Sequence, residues 1–120
     1  MTTKPNTDLR ARTKDYALRI IRMYQALPRS GEASVIGRQV LRSGTSVGAQ
    51  YREACRAKSK RDFISKMEGS LQELDETAYW LELLVDAGIV VNERLVELQN
   101  ETNELLAIFI ASVNTAKSNQ

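Results

Sequence analysis

Apolar residues recur at steps of three and four along nearly the whole chain, and only short polar or glycine-bearing stretches interrupt them. That spacing lays one apolar stripe along an α-helix, so a chain carrying it almost end to end has little else to fold into. The first stripe is Leu9, Tyr16, Ala17, Ile20, Tyr24 and Leu27, with Thr7 or Asp8 placed to cap its start. Pro28, Ser30 and Gly31 then break the pattern. The second stripe, starting near Glu32 to Ser34, is Ile36, Val40, Ser43, Val47, Gln50 or Tyr51, and Ala54. The basic stretch Arg56 to Arg61 makes a turn, and Ser59 is placed to cap the third helix. The third stripe is Phe63 or Ile64, Met67, Leu71, Leu74, Ala78, Leu81 and Val85, and Gly88 stops it. The fourth starts at Asn92 as cap and runs Leu95, Leu98, Thr102, Leu105, Phe109 and Val113. No segment alternates as a strand would. The expected fold is all-α, an up-down-up-down antiparallel four-helix bundle. It forms one domain over residues 1–120, with 1–7 and 117–120 as frayed tails.

Composition removes several chemistries. There is no histidine in the 120 residues, which excludes histidine metal ligands, histidine bases and the Glu-x-x-His motifs of di-metal bundles. The single cysteine, Cys55, has no partner for an internal disulfide, and is expected to be a small packed thiol. No catalytic residue, cofactor or metal ligand is expected, and the chain reads as non-enzymatic. No apolar run approaches the roughly 18 residues of a membrane span. The expected location is the cytoplasm, with no membrane partner.

Charge is unevenly distributed. Residues 1–66 carry 15 Lys/Arg against 5 Asp/Glu, while residues 67–120 carry 2 against 10. Such asymmetry marks a nucleic-acid surface, or two halves that pair with each other. The densest cluster is Arg52, Arg56, Lys58, Lys60, Arg61 and Lys66, around the second turn. Arg12, Arg19 and Arg22 fall on the outward side of the first helix. Clustered cations that neutralise phosphates bind nucleic acid in a salt-sensitive, largely sequence-independent way. The alternative is a solvated basic face, or one that pairs with the acidic half. Antiparallel packing about the second turn also sets Arg42 level with Glu73 or Glu76, an ion pair that would fix helix register.

Gly37, Gly44 and Gly48 lie inside the second stripe, where each costs about 1 kcal/mol against alanine. They demand either close helix packing or a kink near Ser43 to Ser46. A phosphate loop is the weaker reading, since Gly44-x-x-x-Gly48 lacks the following Gly-Lys-Ser/Thr and the preceding strand. Leu105 to Ala111 is apolar all round, more than a bundle stripe needs. Together with Trp80 this predicts self-association through Trp80, Leu106, Ile108 and Ile110.

The stretch from Ile36-Gly37-Arg38-Gln39-Val40-Leu41-Arg42-Ser43-Gly44-Thr45-Ser46-Val47-Gly48 to Ala54 resembles a known signature. So do Ser59-Lys60-Arg61-Asp62-Phe63 and Leu71-Gln72-Glu73-Leu74-Asp75-Glu76-Thr77. The signature is that of the four-helix bundle proteins first noticed as products of 23S rRNA intervening sequences. The resemblance implies a homopentameric ring and a ribosome association. Through a related branch, the accessory variability proteins of diversity-generating retroelements, it implies an adaptor that binds RNA and a reverse transcriptase. It implies no catalytic residues. The two functional expectations are an oligomeric RNA- or nucleic-acid-binding adaptor, and a protein-binding scaffold with no nucleic-acid role.

Overall fold

A computed structural model describes residues 8–119. Pro5, Thr7, Gln120 and the expected frayed start at residues 1–7 lie outside them. Four helices follow one another: α1 (Leu9–Gln25), α2 (Gly31–Cys55), α3 (Lys60–Asp86) and α4 (Asn92–Ser118). Short connections make successive helices antiparallel, so the protein is an all-α four-helix bundle. No strand occurs among the described residues.

Each boundary has a local cause. Asp8 caps α1, its carboxylate accepting from the Ala11 N–H at 3.1 Å. The helix ends at Gln25 rather than Leu27, yet Leu27 still turns inward and is buried. Gly31 takes φ +63°, a left-handed conformation that suits glycine, and α2 begins there. Ser59 caps α3 by accepting from the Asp62 N–H at 3.0 Å. At the far end of α3, Gly88 adopts φ +74°. The Ile89 N–H donates to the Leu84 carbonyl and the Gly88 N–H to that of Val85, both at 3.0 Å, the paired bonds of a Schellman stop. This tight exit starts α4 one residue earlier than expected. Val91, not Asn92, is the cap, and its carbonyl already accepts from the Arg94 N–H. The end of α4 also departs from expectation. The helix continues through Lys117 to Ser118, held by Lys117 Nζ to Glu68 (2.8 Å) and Lys60 Nζ to the Asn119 carbonyl (2.8 Å).

The core follows the stripes, with polar additions. Tyr16, Ile20, Val40, Val47, Leu74, Leu81, Leu105 and Phe109 are fully buried. Thr13, Ser43, Ser70, Thr77 and Thr102 are equally buried, and hydrogen bonds satisfy them. Several of those bonds join helices. Ser43 Oγ meets Thr77 Oγ1 at 2.7 Å, and Ser70 Oγ donates to the Val47 carbonyl at 2.9 Å, both between α2 and α3. Tyr16 Oη meets Thr102 Oγ1 at 2.6 Å between α1 and α4. Burial holds the Tyr16 phenol above its ordinary pKa, so it stays neutral there.

The glycines of α2 answer the packing question. α2 is helical throughout, and its glycine face lies under α1. A Cβ at Gly44 would stand 2.8 Å from Ile20 Cγ1, at Gly37 2.9 Å from Leu27 Cδ1, and at Gly48 3.0 Å from Thr13 Oγ1. Thr45 and Ser46 bond back to the Leu41 and Arg42 carbonyls at 2.7 Å without breaking the helix. A phosphate has no room against Gly44, because Ile20 fills that space. Gly44→Ala is expected to destabilise by about 1–2 kcal/mol, since overpacking outweighs the gain in helix propensity. Gly69→Ala is the contrast. Its Cβ would overlap Gln50 Oε1, the far end of a half-buried side chain that can swing aside, and the expected change is within about 0.5 kcal/mol. Urea denaturation of both variants checks the pair, and equal losses would contradict the packing account.

Candidate nucleic-acid interface

The bundle brings the α1 N-terminus, the α2–α3 turn and the α4 C-terminus to one end. Arg56, Lys58 and Arg61 are exposed there and form no ion pair among the described residues. Lys60 is exposed and reaches only the Asn119 carbonyl. Arg52 is half-buried, and Lys66 Nζ pairs with Glu53 at 3.2 Å. The cause of this concentration is local. The turn is too short to bury anything, and every side chain from Cys55 to Arg61 except Ala57 is exposed.

The first helix contributes differently from the sequence expectation. Arg12 does not face solvent with the patch. Its Nε and Nη2 donate to Glu101 Oε2 and Oε1, both at 2.7 Å, and Nη2 also donates to Glu104 Oε1 at 2.7 Å. Only 15% of its side chain is exposed. The Glu101 hydrogen bond is the main reason its guanidinium is held even more firmly protonated than usual. Arg22 lies in the last turn of α1, about 20 Å along the axis from Leu9, and Arg19 about 15 Å. Neither shares the end with the α2–α3 turn. The residues of α1 that do are Arg10 and Lys14, both exposed. Periodicity within α1 does not single them out, because their neighbourhood with the turn exists only once the helices pack. Arg10 lies near enough to Tyr51 to act on its phenol, whose pKa burial and Cys55 push up to about 12.

The remaining predicted positions separate. Arg42 reaches Glu73 Oε1 at 3.2 Å and Glu76 Oε1 at 2.5 Å, and Gln50 Nε2 donates to Glu73 Oε2 at 3.2 Å. The pair links α2 to α3 at the surface, with half of the Arg42 side chain exposed. Cys55, expected to be packed, is exposed, because Ala54 takes the buried position at the end of α2. The apolar run of α4 divides. Leu105 and Phe109 enter the core, Leu106 and Ile108 are half-buried against it, and Ile110 is exposed. Trp80 is half-buried, with Tyr79 edge-on to it at 5.1 Å, and its Nε1–H has no acceptor among the described residues. No helix among them is long and apolar enough to cross a membrane.

Four antiparallel helices with a glycine-faced α2 and a basic α2–α3 turn define a small-helical-bundle class of protein. Residues 6–111 match the family described as 23S rRNA-intervening sequence protein, and the chain belongs to that family. A solved structure from Bacteroides thetaiotaomicron is similar. It is described as a protein with unknown function from the S23 ribosomal protein family. The two are 36% identical with a TM-score of 0.82, over 87% of this chain and 96% of that one. No curated protein matches the chain.

Proposed function

We propose that the protein is a non-enzymatic, cytoplasmic adaptor that binds RNA or another nucleic acid through the basic end of the bundle. The observation that carries this reading is the concentration of exposed, unpaired cations there: Arg56, Lys58 and Arg61 on the turn, with Arg10 and Lys14 beside them on α1. Arg12 and Arg42, by contrast, are neutralised against carboxylates. Cations that form no ion pair at one end suit a phosphate backbone, which needs no shaped pocket. Self-assembly belongs to the proposal, with the pentamer number taken from the family resemblance. Exposed Ile110 and Tyr79 supply apolar surface for it. A ring would repeat the basic end and raise avidity. The ribosome and a reverse transcriptase are the partners that the resemblance suggests.

The test is a salt titration of binding to structured RNA. At about 50 mM salt the wild type is expected to bind, with affinity falling linearly in logarithmic coordinates as salt rises. Arg56→Glu/Arg61→Glu is expected to lose affinity at every salt concentration and to flatten that slope by about two. Absence of salt-dependent binding by the wild type would remove the nucleic-acid reading. Partner capture that ignores the charge reversals would favour a protein-binding scaffold.

A further inference from the structure

At the end of the bundle opposite the basic turn, the seam between α1 and α4 opens into a groove. Arg12 with Glu101 and Tyr16 with Thr102 close the seam lower down. Above them α1 stops at Gln25 and the chain turns away at Pro28, so α1 does not cover the start of α4. The opening has a volume of about 580 Å³, inside the roughly 300–1,000 Å³ of small-ligand sites. Its walls are apolar, with Met23, Leu27, Ile89, Val90 and Leu95 among them. Two charged side chains line it, Arg22 and Arg94, one from each helix of the seam. Both are exposed, and neither forms an ion pair among the described residues. No carboxylate among the described residues lines the groove.

We infer that this groove binds a linear amphipathic anion, its tail along Met23, Leu27, Ile89 and Leu95 and its anionic head between Arg22 and Arg94. Charge complementarity selects that occupant. An apolar ligand without a head would leave two arginines unanswered, and a cation would be repelled by both. A carboxylate between two guanidinium groups accepts charge-assisted hydrogen bonds at no cost in breaking an existing pair. The Ile89 and Val90 N–H groups are committed to the Leu84 carbonyl, and the charge that recognises the head comes from the two arginines. The groove lies at the opposite end of the bundle from the basic turn, so its occupancy is independent of nucleic-acid binding there.

Methionine labelled at the methyl carbon reads the site directly, because Met23 lines the groove and Met67 is buried in the core. Dodecanoate below its micelle concentration is expected to shift the Met23 methyl resonance saturably and leave Met67 in place. Dodecylammonium is expected to bind about tenfold or more weakly, the equivalent of losing one charge-assisted contact. Arg22→Ala/Arg94→Ala keeps the apolar walls and sits at exposed positions, so the fold is retained, and it is expected to abolish the preference for the anion. Equal binding of the two amphiphiles to the wild type, or an unaltered preference in the double variant, would overturn the assignment. A Met23 shift driven by protein concentration alone would also overturn it, by showing that a second copy fills the groove.

Discussion

Phe109→Ala is expected to remove about 3–5 kcal/mol of stability and to lower the melting temperature by roughly 15–25 °C. The ring is fully buried in the middle of α4, and Tyr51 of α2 meets it edge-on, with centroids 5.8 Å apart and planes at 77°. Truncation therefore loses the transfer energy of the ring, leaves a cavity between two long helices, and forfeits an aromatic contact between α2 and α4. Small domains hold only about 5–15 kcal/mol in total, so the variant retains a thin margin. Ile110→Ala, one residue on, is the internal control. Ile110 is 45% exposed, and its truncation is expected to change protomer stability by no more than about 0.5 kcal/mol. Thermal melts at low and high protein concentration read both quantities. A dependence on concentration that Ile110→Ala removes would identify the outer face of the apolar run as an assembly surface. A larger loss for Ile110→Ala than for Phe109→Ala, at low concentration, would contradict the placement of α4.

The contrast between those two neighbours shows what the sequence could and could not say. The stripe of α4 is legible in full, since Leu95, Leu98, Thr102, Leu105, Phe109 and Val113 are its buried residues. α3 is less so. Its buried positions are Ile64, Met67, Ser70, Leu74, Thr77, Leu81 and Leu84. An apolar scan slides to Leu71 and Ala78 because Ser70 and Thr77 carry hydroxyls. Yet the alternation of three and four from Met67 to Leu84 runs straight through them, and that regularity is the signal that could have found them. Buried Thr13 escapes an apolar scan for the same reason. Register across the α2–α3 turn can be counted, which is why Arg42 could be set against Glu73 and Glu76. Angular position on α1 cannot identify a neighbour. Arg12 lies at the border of the α1 stripe, about 80° round the helix from Ile20, and α4 occupies that flank; a wheel drawn for one helix contains no second helix. The uneven charge is therefore partly consumed in pairing within the bundle. Arg12 and Arg42 pair with carboxylates of the acidic half, while Lys66 finds its partner nearer in sequence and Lys117 reaches back to Glu68.

Arg12→Ala is expected to cost about 2–4 kcal/mol, far more than a surface arginine. Exposed ion pairs contribute about 0–1 kcal/mol, but this one is unlike them in two respects. The fork is bidentate on Glu101, and both side chains are only 15% exposed. Removing the guanidinium leaves the Glu101 carboxylate largely out of water without a counter-charge, and that penalty dominates the loss. Glu104, 66% exposed, can return to solvent, so Glu104→Ala is expected to cost about 0.5 kcal/mol or less. Arg12→Lys keeps the charge but cannot present the fork, and should fall between the two. The decisive variant is Arg12→Met/Glu101→Leu, which removes both charges and keeps apolar volume at the α1–α4 seam. It is expected to recover most of the stability lost in Arg12→Ala, because no unpaired carboxylate remains. Urea midpoints of the variants against the wild type measure these differences. If the double variant is no more stable than Arg12→Ala, the cost does not come from a stranded carboxylate. RNA binding supplies a second readout, since the charge of a guanidinium paired with both Glu101 and Glu104 is already neutralised and adds little attraction for phosphate. Arg12→Ala is accordingly expected to leave the salt slope unchanged where Arg56→Glu/Arg61→Glu flattens it, at temperatures where both variants are folded.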